Sequence, residues 1–514
     1  MQIPIPGPQA YVILFLWPVV VAILFRKLPL QPALIWSLLG AYLLLPTAWV
    51  VNFDLPLLPA LDKNTLPVLA AAVAAPLTLY RIEKMQRRMR SISQDKFIRP
   101  PVLPGWLPRS TLGMGLFLAV IGGILMTVLT NRDMLVYGAT AIPSMRPYDA
   151  LSMILEALAL LLPVLLGRKF LANDAGHRHL LTAMIVAAIA YSFLALYEIR
   201  MSPQVNNLVY GFFPHSWAQH IRGDGFRPLV FMDHGLVWAI FLSMSILAAA
   251  IMARATKDAA RMRYIAAAIF LFLVLVLSKS LGALMITIVL LPVALLMPVR
   301  LQLLAAALIA ALSLTYPILR GAHMIPTDAF VETVATQIDP RRAQSLEFRF
   351  HHEDALLAKA NERPVFGWGG YTRWRIYDEQ GNDLTVSDGA WIIKISQRGW
   401  VGYVAQFGFL SLPLILFFFR RKRYDVELVT SGLCVVIAAN LVDLLPNDSL
   451  SPLLFLAAGA LLGRIELQRK DAVQAVVAAP RPVHIRGAPG TALDQAGSVK
   501  TPHSRFAHVK RRGT

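Results

Sequence analysis

Cysteine and acidic side chains are both scarce in this chain of 514 residues, and each shortage removes a class of protein. The one cysteine, Cys434, sits in an apolar run, so an intrachain disulfide and a thiolate metal cluster are excluded and packing is its expected role. Charged residues make up 15% of the chain against 56% hydrophobic, a balance that a string of soluble domains does not have. There is no HExxH pattern, no zinc-finger spacing and no Rossmann glycine signature. The formal charge of +19 therefore arrives without the motifs of a nucleic-acid reader, and no nucleic-acid partner is expected. A cleavable leader is not expected either, because the apolar run from about 11 to 25 has Arg26 and Lys27 after it rather than before it.

What the chain has instead is apolar length. A bilayer core takes about 20 mostly apolar residues per helix, and such segments recur near 11–25, 31–49, 64–80, 111–130, 149–167, 179–197, 229–253, 264–279, 282–298, 301–319, 403–419, 427–445 and 451–463. The expectation is an all-α, polytopic integral membrane protein of 12 to 13 crossings, with the membrane domain at 1–463 and a basic, disordered cytoplasmic tail at 464–514. Alternating sides places 81–110, 168–178, 254–263 and 420–426 on one face. The loop 81–110 has eight Lys and Arg against two acids, and 420–423 reads RRKR, so that face is the cytoplasmic one. On the opposite face lie 198–228 and the large segment 320–402, whose acids and bases nearly cancel. Orientation does not account for that charge.

A helix is expected from about 341 to 361, followed by a partly irregular lid through 364–389. On the helix Arg349, His352, Glu353 and Leu356 share a face, extended by Arg342 and Leu346. Such a face suits a phosphate headgroup, with arginine as bidentate donor and histidine as proton acceptor; an Arg349–Glu353 ion pair on a solvated helix is the plainer alternative. His351 points away from His352, and adjacent histidines lack the spacing of a zinc helix. No metal and no cofactor are expected. Downstream, Gly367, Gly369 and Gly370 interleave with Trp368 and Tyr371, aromatics placed to stack on a sugar or to close the helix against the membrane.

The stretch VYGFFPHSWAQHIRGDGFRPLVFMDHG carries Arg222, Asp224, Arg227, Asp233 and His234, with Arg227 and His234 on one helical face if the next span begins early. Lys279 interrupts two apolar runs in LSKSLGAL. Each cation alone is explained by snorkelling or a surface pair. Together, Arg227, Lys279 and Arg349 would suit a diphosphate.

In order and in topology these segments resemble the bacterial O-antigen ligase and Wzy-type polysaccharide polymerase superfamily, as a divergent member. SKSLGAL is similar to the family's serine and basic break, with Lys279 at the basic position, and FRPLVFMDHG is similar to a family segment with Arg227 at its basic position and His234 near the polar one. EFRFHHEDALLAKANERPVFGWGGY supplies the family's loop arginine, proline and G-x-G turn as Arg349, Pro364 and Gly367-Trp368-Gly369. Where the family carries a histidine-asparagine pair, DGAWIIKISQRGWVG has Asp388-Gly389, and Gln397 stands at the acidic position.

The resemblance implies an inverting, metal-independent glycosyltransferase of the inner membrane. Its donor is an undecaprenyl-diphosphate-linked oligosaccharide, its acceptor a glycan or lipid A core, and its surroundings membrane lipids and polysaccharide-export proteins. Arg349 with Asp388 or His352 would carry the chemistry, and Arg227, His234, Lys279, Trp368 and Tyr371 would bind substrate. The rival expectation is a flippase-like polysaccharide or lipid transporter, which calls for paired halves and interrupted helices.

Overall fold

Thirteen of the helices in a computed structural model fall on the thirteen apolar segments. It describes residues 5–54, 57–90, 102–223, 225–337, 340–422 and 425–478. In order these helices are α1 (Pro8–Lys27), α2 (Leu30–Leu44), α3 (Leu66–Arg90), α4 (Thr111–Thr130), α5 (Pro147–Phe170), α6 (Asp174–Met201), α8 (Gly235–Ala255), α9 (Asp258–Leu277), α10 (Leu281–Leu296), α11 (Val299–Gly321), α14 (Ala390–Arg420), α15 (Leu428–Asp443) and α16 (Pro452–Ala478). Among the described residues nine helices are long and apolar enough to cross a membrane, with α2, α10 and α15 shorter apolar helices beside them. Three further helices are α7 (Val205–Tyr210), α12 (Thr327–Gln337) and α13 (Pro340–Asn361). The strands are two short antiparallel hairpins, β1 (Leu135–Tyr137) with β2 (Thr140–Ile142), and β3 (Ile221–Arg222) with β4 (Gly225–Phe226).

The compact body runs from Met1 to Lys470. Among the nine candidate spans α8 is the most enclosed, packed by α6, α9, α10 and α15. Nearly every side chain of α8 from Trp238 to Ala253 is buried, which is why its sequence is apolar all round rather than striped. A second group joins α14 to α4 and α11, and α13 lies against α14.

Helix α14 differs from the segment expected at 403–419. It starts at Ala390 and is interrupted at Gly399, where φ is 61° and ψ is −169°. The segment 364–369 fills the break. Trp368 N–H donates to the Ser396 carbonyl (2.9 Å) and Gly369 N–H to that of Gln397 (2.9 Å), while Trp400 N–H donates to Pro364 (2.8 Å) and Val401 N–H to Val365 (3.2 Å). A side-chain carbon at Gly399 would lie 2.4 Å from the Val365 carbonyl, and one at Gly367 would lie 2.5 Å from Gly399 N. Both backbones thus need glycine for approach as well as for positive φ. A break inside an apolar helix is tolerated when protein satisfies its freed polar groups, and here it does.

The expected tail boundary also shifts. Glu466 is buried: it accepts from Arg168 Nη2 (2.6 Å) and Nε (2.9 Å) and from the backbone N–H of Arg109 (2.8 Å) and Ser110 (3.2 Å), tying α16 to α5 and to the start of α4. Arg464 pairs with Asp174 at 2.6 Å. Residues 464–478 are helical, and 479–514 of the expected tail lie outside the described residues. Arg168 is fully buried, so removing its partner leaves an uncompensated charge. We expect Glu466→Ala to lose about 3 to 5 kcal/mol of stability, and Arg168→Met with Glu466→Leu to recover most of it, as read by thermal unfolding in detergent; equal losses in both variants would contradict this.

Candidate functional site

Arg349 and Asp388, 39 residues apart, meet: Arg349 Nε lies 3.0 Å from Asp388 Oδ2. Helix α13 carries the arginine, and the aspartate sits just before α14, which packs on α13. The pair is partly open, with the two side chains 36% and 41% exposed. Arg349 therefore does not make the expected pair with Glu353. Glu353 turns inward, 7% exposed, and its Oε2 has no hydrogen-bond partner among the described residues. Burial raises its carboxyl to about 7, against the lowering effect of Arg320. Arg320, at the end of α11, is itself buried and pairs with Asp354 at 2.9 Å.

Burial holds the nearby His215 imidazole below its ordinary value, against the smaller opposing effects of the Ser216 backbone and of the Asp388 and Asp233 charges. Around His215 stand two more histidines. Ring centroids of His215 and His234 are 4.6 Å apart, those of His220 and His234 4.9 Å, and those of His215 and His220 5.8 Å. His234 caps α8, its Nδ1 accepting the Leu236 N–H at 3.0 Å, which leaves its ring proton on Nε2. Burial first, then the neighbouring histidines and Arg227 and Arg222, push His234 down to about 2; burial brings His220 down to about 4. The cluster is neutral near pH 7. Among the described residues no group of three or more His, Cys, Asp or Glu has metal-holding geometry.

One of the expected cations, Arg227, borders these rings, and Lys279 adjoins it. Arg227 is buried and donates to the Lys279 carbonyl at 3.4 Å, while Lys279 Nζ donates to the Arg222 carbonyl at 2.9 Å. Arg227 lies before α8, not on it, because the span opens only at Gly235; the shared helical face with His234 is replaced by a loop that β3 and β4 fold back. Asp233 reaches the other way to Lys63 (3.5 Å), a buried lysine just before α3. Asp62, whose Oδ1 accepts the Asn64 and Thr65 N–H groups at 2.8 Å each, closes the adjoining turn. Lys63, Asp233, the histidines, Arg227 and Lys279 form one polar region, and the charge of Asp388 is felt at His215 on its border.

Other expected site residues are placed differently. His352 packs its ring on Phe348 (centroids 4.3 Å apart), and no contact joins it to Asp388. Trp368 is 4% exposed; its indole N–H donates to the Lys359 carbonyl at 2.8 Å, and its ring lies 3.8 Å from Lys359 Nζ and 4.3 Å from the Arg363 guanidinium. Its faces are thus occupied by the protein's own cations, and stacking on a sugar is not available to it. Tyr371 is exposed, but its hydroxyl donates to Asp149 at the start of α5, and this bond raises the phenol to about 12. The turn is fixed from below by Asp133, which takes Arg363 Nη2 at 2.7 Å and Arg373 Nη2 at 3.1 Å. Asp224 and the side chain of Arg342 lie outside the described residues.

His215, His220, Lys63 and Glu353 were not assigned to a site from the sequence, Glu353 having been given only an ion-pair role. One signal for the histidines was present: His215, His220 and His234 fall within twenty residues of a chain with eleven histidines. Comparison of the chain with protein-family models, with curated proteins and with solved structures finds no match.

The raised Glu353 carboxyl sets a pH dependence. An unfolded glutamate titrates near 4.5 and the folded one near 7, so the unfolded state sheds its proton first as pH rises. Stability falls from pH 4.5 to 7 and then levels. Glu353→Gln should remove that loss, gaining on the order of 1 to 3 kcal/mol over the parent above pH 7 and converging with it near pH 4.5; a difference in melting temperature that does not vary with pH would refute this.

Proposed function

We propose that the chain is an integral membrane glycosyltransfer enzyme of the O-antigen ligase and polysaccharide polymerase type. It transfers or polymerises oligosaccharide from an undecaprenyl-diphosphate-linked donor. In this reading the thirteen apolar helices are crossings of the inner membrane, and the end bearing Asp388 faces the periplasm. The basic segments 81–90, 168–178, 254–263 and 420–422 then lie on the opposite, cytoplasmic side. The observation that carries the proposal is the meeting of Arg349 with Asp388 beside a region that also holds Arg227 and Lys279.

A donor diphosphate would displace Asp388 from Arg349, since phosphate oxygens offer the guanidinium the same two-pronged acceptor. The released carboxylate would take the proton of an acceptor hydroxyl as that oxygen attacks the anomeric carbon. The carbon–oxygen bond to the diphosphate breaks, and its electron pair leaves with the lipid diphosphate. Fixed cations at Arg349, Arg227 and Lys279 would stabilise that charge. Polar neighbours such as His215 and His234, neutral at pH 7, would orient sugar hydroxyls without adding charge.

A transporter is the second reading, and one observation favours it: α14 is broken at Gly399, as substrate-binding helices of transporters are. That reading also calls for a matching break in the other half. Among the described residues α14 is the helix with a non-helical residue inside it.

Incubating the purified protein with a lipid-diphosphate oligosaccharide and an acceptor separates the two. Transfer should occur in the parent, fall about 100- to 10,000-fold in Asp388→Asn, and leave donor affinity equal or tighter, because Asn no longer competes for Arg349. Movement of the lipid donor across a vesicle without any new glycosidic bond would replace the enzyme reading with the transporter one.

A further inference from the structure

A cavity of about 400 Å³ lies away from the Arg349–Asp388 pair, enclosed by α4, α5, α14, the turn before α3 and the start of α16. Its volume falls in the range of small-molecule sites, about 300 to 1,000 Å³. One wall is a stripe of α14 at intervals of four: Lys394, Arg398, Gly402 and Gln406. The facing wall, from α4 and α5, is largely apolar, with Ile124 and Leu160 among its residues.

The cations of this stripe are unusual for a helix that spans a membrane. Neither Lys394 nor Arg398 makes a side-chain hydrogen bond or an ion pair among the described residues, and Gln406 Nε2 is buried without an acceptor. Glu156 on α5 is the acid that acts on Arg398, but from beyond ion-pair distance. Asp62, the other acid on the wall, already accepts two backbone N–H groups and the Thr65 hydroxyl. Two cations thus face one uncommitted carboxylate.

A side-chain carbon at Gly402 would stand 2.2 Å from Arg398 Cβ, so the close approach of these two turns requires glycine at 402 whatever side chain stands at 398. The break at Gly399 creates that overlap, because it brings the turn before the break over the turn after it. Cations inside membrane segments face the bundle interior or a wet cavity, and mark substrate or ion sites.

We propose that this cavity binds the phosphate group of a membrane amphiphile, with Arg398 and Lys394 on the phosphate oxygens, Gln406 as a neutral donor, and the hydrocarbon chain along Ile124 and Leu160. An amphiphile fits because the cations sit beside an apolar wall at the depth of the spans. A phosphate fits because two donors one helical turn apart match its spread of oxygens. The site does not depend on the glycosyl-transfer reading.

The test titrates the full chain, in nanodiscs of phosphatidylcholine, with farnesyl phosphate, farnesol and inorganic phosphate, and reads binding by calorimetry. In an Arg349→Gln background, which disables the proposed donor site, farnesyl phosphate should saturate one site and farnesol should not. Arg398→Gln and Lys394→Gln should each weaken binding about tenfold or more, whereas Glu156→Gln, which removes the opposing carboxylate, should tighten it; a misfolded variant cannot produce that gain. Farnesyl phosphate binding equally in that background with and without Arg398→Gln would overturn the site, as would equal binding of farnesol. Inorganic phosphate binding as tightly as farnesyl phosphate would overturn the assignment to a lipid.

Discussion

The hydrogen bonds that 364–369 makes across the gap in α14 connect the two polar regions of this protein. Without them, the carbonyls of Ser396 and Gln397 and the N–H groups of Trp400 and Val401 would be bare inside a helix long and apolar enough to cross a membrane. With them, α14 enters as a separate first piece that turns at Gly399, so that Asp388 reaches α13 at one end while Lys394 and Arg398 turn toward α4 and α5. The same segment buries Trp368 beneath Lys359 and Arg363. Asp133 then holds Arg363 and Arg373; burial alone would raise its carboxyl, but the Arg363 hydrogen bonds and the charge of both arginines bring it below its ordinary value. Glycine at 367 and 399 is therefore a condition of both regions rather than of one turn.

Much of this was readable from hydropathy. Apolar runs of membrane length do become helices, because a buried or lipid-facing backbone has few other ways to pair its polar groups, and the polar helix α13 follows from its spacing. What periodicity does not carry is contact between distant segments. The stripe Lys394, Arg398, Gly402, Gln406 reads as one unbroken helical face, and only the backbone of 364–369 shows why it is interrupted. Trp368 reads as an interfacial aromatic until the turn folds it under its own cations. Composition misled in a different way at the C-terminal end: Glu466 sits in a basic stretch that resembles a tail, yet it is the partner of a buried arginine 298 residues away.

The candidate site was legible in part for the same reasons. Arg349 and Asp388 were picked out by order along the chain, and they meet. His215 and His220 were overlooked, unlike His234, because a histidine in a loop has no periodic signature; their significance lies in packing ring against ring with His234 beside Arg227, where burial keeps them uncharged. Glu353 shares its helix face with Arg349 on paper, but a turn of helix offers two directions, and the nearer buried charge of Arg320 accompanies it inward.

Charge balance gives this arrangement its chemical sense. Cations at Arg227, Lys279, Lys63 and Arg349 would repel one another if the groups among them were also positive, and histidines charged near pH 7 would make that worse. Burial removes the difficulty by holding His220 and His234 neutral, and among the described residues Asp233 pairs with Lys63 and Asp388 with Arg349. Under the proposed transfer reaction, an incoming diphosphate takes the place of Asp388 on Arg349, so one anion substitutes for another and the guanidinium is paired both before and after binding. The carboxylate is then released where the acceptor hydroxyl arrives. An aspartate is suited to that exchange in a way that a histidine is not, because only an acid can neutralise Arg349 while the donor is absent and still be basic once the donor has displaced it.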